Sequence, residues 1–306
     1  MEKHAVYKNW GEFWIDRYQT GRLNSTLQIP ADQLDEEQIK FFKPIWRHEL
    51  MRLVDTWKKE SGRDPVAQDF RLNVPGKINV VYDRLMGTDA GSYFDSAVEF
   101  WLARKKHDPS TELVRVSFRS ITKAEGTQLR PHWKKEAQDL ISEWQKKNPD
   151  RILAREDFGF EEGKIPLVFA RLCGVEKWAI GSTTEHNRIG DSRFDFWNEQ
   201  RKLDPRIFML KIKLQNLTAE EASRFRPYWR QEAFQILKAW KDKKGRMVRS
   251  TDFSLDEGNI PLIYARPIGD GPAYHPETTT TWLYASKADF LSDFQARERG
   301  EVPLIP

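Results

Sequence analysis

The sequence predicts an α+β protein of three tandem α-β-α-β-β repeats, closed by a C-terminal capping helix that is a partial fourth repeat. Three observations carry this expectation. Trp14, Trp46 and Trp57 recur as Trp101, Trp133 and Trp144, and again as Trp197, Trp229 and Trp240, with steps of 32 and then 11 residues in every copy. A fixed period marks one supersecondary unit used several times. Apolar residues alternate with polar ones ahead of each second Trp, and a Gly-containing turn follows each third one. The repeats span 1–87, 88–174 and, with a linker, 175–269, leaving 270–306 for a second linker, the capping helix and a terminal strand at Val302–Ile305.

The third copy shows the elements in order. Asp191–Ser192 caps a short helix through Phe194, Trp197 and Gln200. Phe208, Leu210, Ile212 and Leu214 alternate with Met209, Lys211, Lys213 and Gln215, the period-2 pattern of a half-buried strand. Thr218 with Glu221 makes a capping box for a second helix ending at Gly245. Pro227 inside that pattern predicts a first turn that stops and a helix that restarts. Asp252–Leu255 and Ile260–Tyr264 then read as two strands of a hairpin whose glycine takes the left-handed position. Leu27, Val114 and Leu210 all lie 19 residues before the second Trp of their copy, so the first strand recurs too. At the end, Ala288–Arg297 resembles Glu99–Arg104 with Gln295 in the place of the Trp. Three ferredoxin-like split βαβ modules are the alternative, with strands shared between neighbours.

The nine repeated tryptophans are expected in the core. Trp46, Leu50, Leu53 and Trp57 step by helical intervals, as do Trp133, Ala137, Leu140 and Trp144, and Trp229, Ala233, Ile236 and Trp240. Glu49, Glu136 and Glu232 follow the second Trp by three residues, while Arg84, Arg171 and Arg266 close each hairpin, so a structural ion pair within each unit is expected. Asp69, Asp157 and Asp252, each directly before Phe, are expected to bond backbone.

Composition narrows the function. Fifty basic against 46 acidic side chains give a net charge of +4, less than a dedicated nucleic-acid protein concentrates. One cysteine, Cys173, excludes an internal disulfide framework. No apolar run is long enough for a membrane span and no signal peptide is evident, which predicts an intracellular protein without membrane contact. The six histidines show no metal-ligand spacing, and no phosphate-binding loop, dinucleotide fingerprint or nucleophile elbow occurs. No cofactor, metal or catalytic residue is therefore assigned. The favoured reading is a non-enzymatic repeat scaffold that binds another protein. A second is nucleic-acid or polyanion binding through a basic strand face, Arg115, Arg119, Lys211 and Lys213, extended by Lys241, Lys243, Lys244 and Arg246. A third is an enzyme or small-molecule site between repeats, lined by linker residues Trp178, His186, Tyr274, His275 and Trp282.

Overall fold

A computed structural model describes residues 7–80, 82–85, 91–116, 121–173, 188–212, 217–253, 260 and 283–305. Its helices are α1 (Trp10–Gln19), α2 (Glu36–Ser61), α3 (Tyr82–Leu85), α4 (Ala97–His107), α5 (Lys123–Lys147), α6 (Phe169–Cys173), α7 (Arg193–Leu203), α8 (Ala219–Lys244) and α9 (Lys287–Glu298). The described residues form no sheet. The only β features among them are three isolated parallel bridges, Phe70 with Ile78, Phe158 with Ile165 and Phe253 with Ile260. The α+β expectation is thus overturned: each repeat is a short helix, a tight turn and a long helix, followed in the first two copies by a second turn. The chain divides into two compact units, Met1–Phe118 with Thr127–Glu136, and Arg119–Gly126 with Ala137–Pro306.

Each short helix starts where a side chain accepts the N–H three residues on, at Asn9, Ser96, Ser192 and Ser286. The long helices start at full capping boxes, Asp35 with Gln38, Thr122 with Glu125 and Thr218 with Glu221. Left-handed Gly62 and Gly245 end α2 and α8, where glycine alone adopts the conformation freely. Pro44, Pro131 and Pro227 lie inside continuous helices, so the expected restart does not occur. Each costs its helix one backbone hydrogen bond. Packing compensates, because the Trp two residues later is buried in every copy.

The predicted first strand is a 3₁₀ turn at Leu113–Arg115 and at Met209–Lys211. Neighbours Met209 and Leu210 are both buried, as are Leu113 and Val114. Two adjacent inward side chains cannot belong to one face of a strand. The backbone of this segment is satisfied by side chains of the long helix. The indole N–H of Trp46 donates to the Thr26 carbonyl at 2.8 Å, that of Trp133 to Leu113 at 3.2 Å and that of Trp229 to Met209 at 3.1 Å. Three residues along, Glu49 accepts the N–H and hydroxyl of Thr26, Glu136 accepts the N–H of Val114, and Glu232 accepts those of Met209 and Leu210. The repeated Glu therefore bonds backbone. In the first copy Arg84 works on the same segment, donating to the Leu27 and Ile29 carbonyls, so Glu49 and Arg84 hold one stretch of chain together without pairing with each other. Arg266 lies outside the described residues.

In the first two copies the predicted hairpins are likewise single bridges around a turn, followed by α3 and α6 where second strands were expected; in the third, the Phe253–Ile260 bridge is described and the rest of the predicted hairpin, 254–259 and 261–264, lies outside the described residues. Gly76 and Gly163 do take left-handed backbone in these turns. The segment Val302–Ile305 is not a strand either. In α9, the Ser286 cap puts Leu291, not Gln295, at the register of Trp101 and Trp197.

Replacing Glu232 with Ala should destabilise the protein by about 2–4 kcal/mol, because it leaves the buried N–H groups of Met209 and Leu210 without acceptors. Glu232→Gln, which keeps an acceptor oxygen, should lose less. Urea unfolding of the two variants checks this.

Candidate functional site

The second turn of each repeat is held by a constellation that recurs three times. Six residues separate Arg63 from Asp69, Arg151 from Asp157 and Arg246 from Asp252. Each Arg binds its Asp, at 2.7 and 2.9 Å in the first copy and 2.8 and 2.7 Å in the third. Each guanidinium also lies over the ring of the preceding Trp, 4.8 Å from Trp57, 5.1 Å from Trp144 and 4.8 Å from Trp240. The Asp turns back to accept the N–H of Val66, Ala154 or Arg249, as its position before Phe predicts. Its carbonyl accepts the N–H of Ile78, Ile165 or Ile260 across the turn. Finally the indole N–H groups of Trp57 and Trp144 donate to Gly76 and Gly163, both at 2.9 Å. Trp, Arg and Asp together fix the turn to the end of the long helix.

These bonds set the ionisation of the acid. Burial works against the charge of Asp69, yet hydrogen bonds from Arg63, the Val66 N–H and Lys77 outweigh it and hold the carboxyl well below the usual carboxylate range. The Arg246 hydrogen bond lowers Asp252 to about 2.

The clamped turns present apolar side chains to solvent. Leu72 is 50% exposed and Phe160 is 75% exposed, and both lie two residues after the bridging Phe. The third copy carries Leu255 at that position, outside the described residues. Val74, Ile152, Val168 and Met247 on or beside the turns are also exposed. Sequence reasoning missed these residues, although the signal existed: an apolar residue two after Asp-Phe in every copy. It also missed the Arg that precedes each Asp by a constant interval.

The other candidate residues are placed as follows. Trp46, Trp57, Trp101, Trp133, Trp144, Trp197, Trp229 and Trp240 are buried, and Trp14 is half-buried. Of the proposed basic patch, Arg115 pairs with Glu112, Lys241 pairs with Glu298 at 2.6 Å and Arg246 belongs to the clamp. Lys211 lies over the ring of Phe208. Lys243 and Lys244 are exposed. Arg119 and Lys213, and the linker residues Trp178, His186, Tyr274, His275 and Trp282, fall outside the described residues. Among the described residues no group of three or more His, Cys, Asp or Glu could hold a metal ion, and no helix is long and apolar enough to cross a membrane.

Comparison with protein-family profiles, curated proteins and solved structures finds no match to this chain.

The folded-state carboxyls of Asp69 and Asp252 lie below their ordinary value of 3.8. Both therefore contribute stability that is complete above that value and is lost as the pH falls through the folded-state value. Asp69→Asn and Asp252→Asn should each lower the melting temperature at neutral pH. Each should also flatten its decline below about pH 4, which thermal melts across the acid range will show.

Proposed function

We propose that the protein is a non-enzymatic helical-repeat scaffold that binds another protein through its clamped turns. One observation carries this reading: an apolar side chain stands exposed at the same place, two residues past the bridging Phe, in both turns whose residues there are described. Repeats keep residues in common mainly because the core needs them, but Leu72 and Phe160 are not in the core. Isolated exposed apolar residues are ordinary. An exposed apolar position that recurs with the repeat, on a turn held by five or more hydrogen bonds, supports a contact surface. Rigidity favours binding, since little ordering entropy remains to be lost at a turn already fixed by Trp, Arg and Asp.

The polar constellations support the same reading from the other side. The repeated Glu, Asp and Arg side chains bond backbone or each other, which leaves them occupied with structure. Three of the basic residues proposed for a polyanion face, Arg115, Lys241 and Arg246, are paired with acids.

Leu72→Ser and Phe160→Ser should leave the melting temperature within about a degree or two, because surface changes of this kind move stability little. They should remove specific partners from those recovered with the wild-type chain, and the double variant should remove more than either single one. Recovery unchanged in the double variant would overturn the proposal.

A further inference from the structure

Gln231 lies on α8, two residues after Trp229, and is 4% exposed. Its amide oxygen accepts the N–H of Ile305 at 2.5 Å, and its amide nitrogen donates to the carbonyl of the same residue at 2.9 Å. One side-chain amide thus takes both main-chain groups of one residue, the pairing a neighbouring β-strand would supply. Such a contact reads backbone and is indifferent to the side chain. It requires only that the residue not be proline, which lacks the N–H.

The segment held there suits the contact. Val302 and Ile305 are half-buried, while Pro303 and Leu304 face solvent, Leu304 at 73% exposure. Val302 and Ile305 each precede a proline in the sequence, and a following proline restricts a residue to extended backbone. The two residues directed inward are therefore the two that their neighbours hold extended. At the corresponding position of α2 and α5 stand His48 and Lys135, neither of which offers an amide's adjacent donor and acceptor.

We propose that Gln231 marks a site on α8 that binds an extended peptide by its main chain, with Val302–Ile305 as a resident and displaceable occupant. The ligand is an extended stretch of polypeptide with apolar side chains at the places of Val302 and Ile305, a free N–H at the latter, and prolines after both. Main-chain hydrogen bonds supply affinity in this mode, and the two half-buried side chains, three residues apart and thus on one side of a polyproline II-like chain, supply selectivity. The resident segment is tethered, so its effective concentration keeps the site filled until it is displaced or removed.

The test uses a chain stopped after Glu301, which retains α9, and a synthetic peptide with the sequence of Glu301–Pro306. Titration calorimetry should show saturable binding to the shortened chain and binding about tenfold or more weaker to the full chain, where the site is filled. Gln231→Ala in the shortened chain should abolish binding, and so should N-methylation of the peptide at the Ile305 position. A full-length Ile305→Pro variant provides a second acceptor. It loses the N–H that anchors the segment, and it should bind the peptide as the shortened chain does. Failure of both chains to bind the peptide, or binding that survives Gln231→Ala, would overturn the proposal.

Discussion

The fold depends on one exchange of hydrogen bonds. Each long helix sends a Trp and, three residues later, a Glu from the same face into the segment that precedes it. The indole donates to a carbonyl and the carboxylate accepts one or two N–H groups. A buried segment without a neighbouring strand would otherwise leave its backbone groups unpaired, at about 1–3 kcal/mol for each. The arrangement substitutes side chains for a sheet. It also explains the burial of the glutamates: Glu232 is pushed up in pKa by desolvation, yet its carboxylate is surrounded by the Met209 and Leu210 N–H groups and lies near Arg201.

That substitution decided what was legible in the sequence. Helix starts were readable because capping is local chemistry: Ser192 and Thr218 act on residues three positions away. The Trp steps along the long helices were readable because a helical period has a single structural cause. The role of Asp before Phe was readable for the same reason. The strands were misread because apolar alternation records only which residues point inward, and says nothing of what satisfies the backbone between them. Met209 and Leu210 both point inward around a 3₁₀ turn, and the groups that complete that turn lie more than twenty residues away in Glu232. The prolines were misread since local rules penalise proline within a helix, whereas the buried Trp beside each one holds the helix through it. Of the candidate surface, the clamp is half visible in the sequence: the acids stand out by their place before Phe, whereas Arg63 and Arg151 carry no local signal and Arg246 reads as part of a basic patch.

The turns show how the same elements serve stability and presentation together. Trp57 and Trp144 are the last apolar anchors of their helices, and each spends its one polar atom on a glycine carbonyl in the turn beyond. The guanidinium stacked on the ring then binds an Asp that is itself folded back on the backbone. Loss of any member frees the turn at several points at once, which is how a small irregular loop comes to behave as a rigid element. Apolar side chains such as Phe160 are carried outward on that element.

Three similar units also create a hazard, since a short helix could dock on the wrong long helix. The contacts that differ between copies address it. All short helices share the cap register, and Arg47 and Arg230 grip the following copy in the same way, donating to the Tyr93 and Leu283 carbonyls and stacking on Phe94 and Tyr284. Eight residues past the cap, however, the copies diverge. Arg104, fully buried, binds Asp55 on α2; Gln200 bonds Gln138 on α5 at 3.0 Å; Phe294 packs on Phe234 of α8 at 5.2 Å between ring centroids. An ion pair, an amide pair and an aromatic pair are mutually incompatible. Arg104 set against Phe234 would keep Asp108 of its own helix but lose Asp55, and Phe294 set against Asp55 would strip a carboxylate of its Arg104 donor, so either mismatch is disfavoured. The shared contacts thus make docking favourable everywhere, and residues that diverge along the short helices, the one eight past the cap among them, favour each helix's own partner.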